Sequence, residues 1–348
     1  MGSNQYRIRA SHSVAAGGEV DLLQQASQAM SAGHRQRCGE VWGTACQAWV
    51  QPPYFSHGQH GLGKSVAEGA TNPNCPPPLL RRLVIDKADD AEVLTAVAAN
   101  PHCPPDLLMS MCEHPWKVVR HAAAQNPTCP EPMLRLLAQQ EDMVKCAVAA
   151  NPQCPPDLLE DLRQVGTVEV RQEVARRPDL TIDMQSRLNR DQNPRVRQAL
   201  ARNPCLDPAI MSSMAYDNSW KVRMMLARRP DTPEHVLDVL ARDGSNKIAE
   251  AVARHPQCPP DALDLLACVG SRDVALAAVQ HPQCPARSMS YLAKNAHPSL
   301  RVGAASHPNC PLEVLIELVQ DPITEVRQAA AQNPGLSEEY RALVQVAG

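Results

Sequence analysis

The chain has 348 residues, of which 34 are Lys or Arg and 37 are Asp or Glu, so its formal net charge is −3. A charge this small does not by itself indicate binding to nucleic acid or to a membrane surface. No apolar run approaches the ~20 residues of a membrane-spanning helix, and the N-terminus lacks the apolar core of a signal peptide. We therefore expect a cytoplasmic protein without a membrane partner, whose 13 cysteines are reduced thiols.

Residues 1–71 lack the pattern that repeats in the rest of the chain, and we expect them to cap the structure that follows. Within this segment Cys38, Cys46, His57 and His60 could supply four ligands to a metal ion. Zinc sites usually contain a tight C-x2–4-C pair, which is missing here. We therefore predict no bound metal and no cofactor, and keep these four residues as metal-site candidates.

Gly58, Gly63, Lys64 and Ser65 match the spacing of a phosphate-binding loop. Such a loop works only where a buried strand leads in and a helix leads out. The preceding residues 51–57, Gln-Pro-Pro-Tyr-Phe-Ser-His, do not have the pattern of a buried strand. We therefore predict no nucleotide site, assign no catalytic residue and expect that the protein is not an enzyme.

A residue followed by proline, most often Asn-Pro, then returns along the chain at a nearly fixed interval. The gaps are 28, 26 and 25 residues, followed by seven of 26. The residues before these prolines, called marker residues below, are Asn72, Asn100, Asn126, Asn151, Arg177, Asn203, Arg229, His255, His281, His307 and Asn333. Self-similarity at this period predicts one continuous solenoid over residues 72–348, which offers a long surface for binding.

Each repeat has the pattern of helix, proline turn and second helix. Before Asn203, apolar residues from Val196 to Ala201 lie at helical spacing, and the marker ends the helix because a residue before proline avoids the helical region. The second helix is illustrated by the repeat that follows marker Asn151. There Pro156 suits the first turn of a helix, and the Leu residues at 158, 159 and 162 form a second apolar stripe. No alternating strand pattern occurs, so an all-α fold is predicted.

Two charged columns accompany the repeat. Asp191, Asp217, Asp243 and Asp321 lie twelve residues before a marker, and basic residues lie six before it. The basic column consists of Arg120, Lys145, Arg171, Arg197, Arg223, Arg301 and Arg327. We interpret these columns as a structural ladder that joins Asp to Arg of the same or the adjacent repeat.

A cysteine three residues after the marker forms another column: Cys75, Cys103, Cys129, Cys154, Cys258, Cys284 and Cys310. Neighbouring helices lie about 8–10 Å apart, which exceeds the ~7 Å Cα separation that a disulfide can bridge. One thiol per repeat also cannot surround a metal ion. We therefore predict that these cysteines pack in the core.

The pattern Asn-Pro-x-Cys-Pro-x-x-Leu-Leu-x-x-Leu-Ala, followed by Asp and Val-Arg-x-Ala-Val-Ala, resembles the bacterial leucine-rich repeat variant family over about residues 72–348. The resemblance implies a right-handed superhelix of alternating α- and short 3₁₀-type helices, a binding role and no catalysis. Some family members carry an N-terminal four-cysteine domain with a [4Fe–4S] cluster. This chain has only Cys38 and Cys46 before the first repeat.

The distribution of charge indicates where a partner would bind. Residues 163–254 contain 16 basic and 12 acidic residues, a net charge of +4, between acidic flanks. Four consecutive repeats place an arginine directly before the marker, and we name these residues, Arg176, Arg202, Arg228 and Arg254, the arginine stripe. Arg177 and Arg229 occupy the marker position itself and are predicted to join this binding surface. The stripe should span about 25–30 Å, three intervals of 8–10 Å.

We therefore expect a non-enzymatic scaffold that binds a protein with an acidic surface, through shape and charge. Nucleic-acid binding is the first alternative, because Arg suits phosphate. The acidic flanks would repel a long polyanion. A metal or iron–sulfur site in residues 1–71 with a redox role is the second alternative.

Trp116 and Trp220, which precede the Arg column, are expected in the core.

Overall fold

The computed structural model describes residues 62–337 and Tyr340, and every secondary-structure element in this part of the chain is an α-helix. Helices that end just before a marker residue are α1 (Leu62–Thr71), α3 (Ala91–Ala99), α5 (Lys117–Gln125), α7 (Asp142–Ala150), α9 (Val168–Arg176), α11 (Pro194–Ala201), α13 (Trp220–Arg228), α15 (Asn246–Ala253), α17 (Arg272–Val279), α19 (Pro298–Ser306) and α21 (Thr324–Gln332). The helices between them are α2 (Pro77–Asp86), α4 (Pro105–Cys112), α6 (Glu131–Leu137), α8 (Pro156–Val165), α10 (Ile182–Asn189), α12 (Pro208–Met214), α14 (Glu234–Ala241), α16 (Pro260–Val269), α18 (Ala286–Leu292) and α20 (Leu312–Leu318). The predicted all-α repeat is confirmed.

The described residues divide into an N-terminal compact unit, which ends at Pro155, and a C-terminal compact unit, which begins at Pro156. In the N-terminal unit α1, α3, α5 and α7 pack in succession, and in the C-terminal unit α9 to α21 do the same through their odd-numbered members. The even-numbered helices pack against these rows. Helix α1 precedes the expected start of the repeats at residue 72 and packs on α3, so the stacked helices reach back to Leu62.

Proline and the marker residues define the helix boundaries. Pro105 and Pro194 each occupy the first turn of a helix, where the missing N–H would have no intrahelical partner. Marker Asn100 has φ −68° and ψ 125° and ends α3 before Pro101, as steric contact with the proline ring requires. The second helices are α-helices, and most of them are followed by a turn with i→i+3 bonds. An example is Gln140 N–H to the Leu137 carbonyl at 3.1 Å. No 3₁₀ helix occurs among the described residues, so the short 3₁₀-type helices that the resemblance implied are α-helices here.

The marker side chains bond consecutive repeats together within each unit. Asn126 is buried and donates from Nδ2 to the carbonyls of Ala98 at 2.7 Å and Asn100 at 2.8 Å. Its Oδ1 accepts the N–H of Thr128 at 2.9 Å. Equivalent donor bonds are made by Asn100, Asn151, Asn203 and Asn333. The amide therefore satisfies backbone groups that would otherwise be buried without partners.

Histidine performs the same task at three markers in the C-terminal unit. Nε2 of His281 lies 3.1 Å from the carbonyl of His255, and its Nδ1 accepts the N–H of Gln283 at 3.2 Å. His255 and His307 repeat both contacts with their own neighbours. These bonds require the neutral imidazole with its proton on Nε2. These histidines therefore hold the turn and the preceding repeat as the marker asparagines do.

The core consists of small and branched aliphatic side chains, together with the cysteine column. Leu237 is completely buried and Leu159 nearly so. All seven cysteines of the column are buried free thiols, as predicted. Sγ of Cys129 lies 3.9 Å from Sγ of Cys112, at the end of α4. Burial raises the pKa of Cys103, Cys258 and Cys310 to about 12, so these thiols stay protonated.

The charged columns form a ladder between adjacent repeats. Arg197 donates from Nε and Nη2 to both carboxylate oxygens of Asp217, while its Nη1 donates to the backbone carbonyl of Asp191. The same arrangement joins Arg171 to Asp191, Arg223 to Asp243 and Arg301 to Asp321. In the N-terminal unit Arg120 pairs with Glu141. Arg301 holds the pKa of the Asp321 carboxyl below its usual range. The structural interpretation of these columns therefore holds.

Candidate binding groove

The arginine stripe lies on one edge of four consecutive helices in the C-terminal unit. Arg176 and Arg228 are the last residues of α9 and α13, and Arg202 and Arg254 directly follow α11 and α15. All four side chains are exposed. Arg176 pairs with Glu173 and Arg254 pairs with Glu250. Arg202 and Arg228 form no ion pair with any residue of the described chain.

Arg177 and Arg229 do not join this surface, which corrects the expectation that they are binding residues. Arg177 is only 5% exposed and pairs with Asp179. Arg229 donates from Nη1 to the carbonyl of Ala201 at 3.0 Å and pairs with Asp231 at 2.7 Å. Both arginines thus replace the marker asparagine. Guanidinium has no acceptor atom that could replace the asparagine Oδ1. The carboxylate of the aspartate two residues later supplies an acceptor instead.

An open concavity of about 800 Å³ lies beside the stripe and is lined by residues of α11, α13 and α15 with their adjoining turns. We call it the basic groove. Its lining consists of Gln198, Arg202, Trp220, Lys221, Met224, Met225, Ala227, Arg228, Lys247, Glu250, Ala251, Arg254, His255 and Pro256. It therefore contains three of the four stripe arginines. Residues nearer the N-terminal ends of the same helices contribute further basic side chains.

These additional basic residues form a second row that sequence reasoning missed. Arg195, Lys221 and Lys247 each precede a stripe arginine by seven residues, which is two helical turns and places both residues on one helix face. All three are exposed, and within the described residues their side chains form no ion pair. The signal was present in the sequence as a basic residue eight positions before three consecutive markers.

The lining of the basic groove is partly apolar. Met224 is buried, Met225 is half-buried, and Trp220 is 47% exposed. The expectation that Trp220 lies in the core is therefore wrong. Trp116 is half-buried and makes an edge-on contact with the His114 ring at 5.0 Å. Trp220 is the first residue of α13, whereas Trp116 precedes α5, and one residue along a helix rotates a side chain by about 100°.

Acidic residues limit the groove on both sides. On α9 the positions that correspond to the groove face hold Glu169 and Glu173, and on α17 they include Asp273. Within α11, α13 and α15 the same positions hold one acidic residue, Glu250. Among the described helices, only α11, α13 and α15 carry a basic residue in both rows.

The metal candidates Cys38, Cys46, His57 and His60 lie outside the described residues. Among residues 62–337 and Tyr340, no group of three or more His, Cys, Asp or Glu side chains is arranged to hold a metal ion. In the same part of the chain, no helix combines the length and apolar character that crossing a bilayer requires.

Comparison with known proteins identifies the repeat. Residues 119–178 match the Leucine Rich Repeat Variant domain. These residues are leucine-rich repeat variant repeats. The resemblance inferred from the Asn-Pro-x-Cys-Pro pattern is thereby confirmed. No curated protein matches the chain.

Solved structures also resemble this chain. One is described as a leucine-rich repeat variant with a novel repetitive structural motif, with 22% identity, a TM-score of 0.43, and coverage of 70% of this chain and 86% of that one. An engineered protein has 12% identity and a TM-score of 0.28, over 84% and 97% of the two chains. Computationally designed armadillo repeat proteins for modular peptide recognition have 12% identity and a TM-score of 0.11, over 83% and 93%.

Proposed function

We propose that this protein is a non-enzymatic repeat scaffold that binds an acidic protein partner in the basic groove. The observation that carries the proposal is a set of five exposed basic side chains without ion-pair partners among the described residues. Four of them, Arg202, Lys221, Arg228 and Lys247, line the groove, and the fifth, Arg195, belongs to the second row on α11 outside the lining. Elsewhere in the C-terminal unit, many arginines already hold a carboxylate. The positive charges of these five side chains are therefore available to a ligand.

The chemistry of the groove suits carboxylate ligands. The guanidinium of Arg202 or Arg228 can donate two parallel hydrogen bonds to one carboxylate. Because neither arginine is paired, an incoming acidic group need not displace an internal one. The exposed Trp220 adds apolar area of the kind that dominates interface energies. Complementary charge would also accelerate the encounter at low salt.

The groove offers no acid–base machinery, which supports a binding role. Its one imidazole belongs to His255, which lies buried with Nε2 against the Arg229 carbonyl at 2.6 Å and Nδ1 against the Gln257 N–H at 3.1 Å. Both ring nitrogens are therefore occupied by backbone groups. The remaining lining residues are basic, apolar or amide side chains together with Glu250, which pairs with Arg254.

The proposal is tested by affinity capture from an extract of the cells that make the protein. The immobilised full chain is compared with an Arg202→Glu, Arg228→Glu double variant and with a matched control, Arg190→Glu and Lys294→Glu. The two control residues are also exposed, and their side chains form no ion pair with the described residues. We expect the wild type and the control variant to capture the same acidic proteins, and the groove variant to lose them.

Two outcomes would contradict the proposal. Equal capture by the groove variant and the control would exclude the groove as the binding surface. Loss of the captured material on nuclease treatment, with a steep dependence of binding on salt, would instead assign the groove to nucleic acid.

A further inference from the structure

We infer that the ligand of the basic groove is a short acidic peptide in extended conformation, about six to eight residues long, with a large apolar residue between its acidic residues. This inference rests on the proposed function and specifies the partner of the same site. It follows from the spacing of the two basic rows, the apolar residues of α13 that line the groove and the acidic limits of the groove.

The two rows have the separation that an extended chain requires. Residues seven apart on one helix, such as Lys221 and Arg228, lie about 10 Å apart along the axis. Neighbouring helices are about 8–10 Å apart, so α11, α13 and α15 span about 16–20 Å. An extended chain advances about 3.3 Å per residue and covers this span with about six residues. Its successive side chains point to opposite sides, one toward each row.

A helical ligand fits this surface less well. An α-helix with its side chains is about 10–12 Å wide, as wide as the distance between the rows. The long side chains of Lys221 and Arg228 would therefore have to fold away from the groove to admit it. An extended chain is narrower, because strands pair at about 4.8 Å, and it leaves room for both rows to reach its carboxylates.

The apolar part of the lining specifies one residue of the ligand. On α13, the middle helix of the three, Met225 lies between Lys221 and Arg228, and Trp220 lies at the start of the helix beside Lys221. A leucine, methionine or aromatic side chain near the centre of the peptide would cover them and exclude water. Acidic residues before and after it would then reach the rows on α11 and α15.

The acidic limits specify the length of the ligand. A longer polyanion would extend over Glu169 on one side or over Asp273 on the other, and like charges would repel it. Within the groove Glu250 has the same effect, because it competes with the ligand for Arg254. A short peptide avoids the outer acids and meets only Glu250.

The test measures binding of a fluorescein-labelled eight-residue peptide that carries glutamates around a central leucine, by fluorescence anisotropy. We expect the Arg202→Glu, Arg228→Glu variant to weaken binding at least about tenfold, and the Arg190→Glu, Lys294→Glu control to leave it unchanged. Trp220→Ala should weaken binding of the leucine peptide by about fivefold or more. It should not affect a peptide with serine in place of leucine. Glu250→Gln should tighten binding about two- to threefold.

Comparison ligands define what would overturn the inference. A peptide of the same composition that is stapled as a helix should bind more weakly; tighter binding would refute the extended conformation. Absence of peptide binding, while capture from extract still depends on Arg202 and Arg228, would refute the peptide and leave the proposed function standing. Tighter binding of an eight-residue oligothymidylate than of the peptide would refute both.

Discussion

Arg197 and Asp217 lie twenty residues apart in the chain and form a two-bond ion pair, with Nε 2.6 Å from Oδ2 and Nη2 2.9 Å from Oδ1. The same guanidinium donates from Nη1 to the carbonyl of Asp191 in its own repeat at 2.6 Å. One side chain therefore joins the start of its own helix to the next repeat. Both partners are mostly buried, so water cannot fully replace these bonds when one partner is removed.

We expect Arg197→Gln to lower the free energy of unfolding by about 2–3 kcal/mol, because it leaves the Asp217 carboxylate without its charged donor. Arg327→Gln is the matched control. Arg327 donates to the carbonyls of Asp321 and Pro322, and no carboxylate partner is found for it among the described residues. Its substitution should cost about 1 kcal/mol. Urea unfolding followed by circular dichroism measures both, and equal losses would show that the cross-repeat pair contributes nothing.

At the marker position, we expect asparagine to replace Arg229 better than alanine does. Arg229→Ala leaves the carbonyls of Ala201 and Asn203 without their donor and should cost about 2–3 kcal/mol. Arg229→Asn restores a donor and an acceptor and should cost less than about 1 kcal/mol. The comparison of urea midpoints decides the point; an asparagine variant as unstable as the alanine variant would contradict it.

Stability should fall at acidic pH through His281. Burial lowers the pKa of His281 in the folded protein below the unfolded value of about 6.5. The unfolded chain therefore binds the proton more readily. This contribution to stability is complete above about pH 6.5 and is lost as the pH falls toward the folded pKa. Protonation of Nδ1 would also break its bond from the Gln283 N–H.

His281→Asn is the control for this prediction, since asparagine keeps a donor and an acceptor but does not titrate. The difference in urea midpoint between wild type and His281→Asn should be constant above about pH 7 and turn against the wild type below about pH 6. Carboxylates titrate in both proteins and cancel in the difference. A difference that stays flat from pH 8 to pH 5 would rule out the histidine contribution.

Truncation of a fully buried side chain in the apolar core should destabilise the protein. Leu237→Ala on α14 removes a side chain with 0% exposure and should lower the free energy of unfolding by about 2–5 kcal/mol, because a cavity remains. Leu312→Ala is the control, since Leu312 is 39% exposed, and should cost less than about 1 kcal/mol. Similar losses at the two sites would refute this account of the core.

The cysteines of the buried column should react with an alkylating reagent more slowly than exposed cysteines do. Burial raises the pKa of the Cys258 thiol to about 12 and that of Cys284 to about 11, and thiolate is the reactive form. Cys205 is exposed. Brief alkylation of the native protein at pH 7.5, followed by peptide mapping, should label Cys205 much faster than either column cysteine. Comparable labelling of Cys258 under native conditions would contradict its place in the core.

The repeated pattern predicted much of this architecture because local chemistry acts in the same way in every repeat. Proline starts a helix, the residue before proline ends one, and a leucine at helical spacing needs a neighbour to cover it. These rules require only a few adjacent residues, so the all-α repeat, the buried cysteine column and the exposed arginine stripe could be predicted from letters and spacing.

Contacts between repeats were decided by the tertiary structure. Asp191 and Arg197 are six residues apart in one repeat, yet the Asp191 carboxylate pairs with Arg171 of the preceding repeat. This pairing explains why Ala249 and Val269, twenty residues apart, both lack a charge. The sequence placed Arg229 on the binding surface, whereas its guanidinium bonds to the carbonyls of Ala201 and Asn203 in the preceding repeat.

The same reason applies to the groove. Trp116 and Trp220 occupy similar places in the pattern, but a shift of one residue turns Trp220 outward. The row of Arg195, Lys221 and Lys247 gains meaning only when three helices are stacked and seven residues become two turns on one face. Spacing along the chain determines which residues recur, whereas the packing of one helix against the next determines which of them remain free to bind.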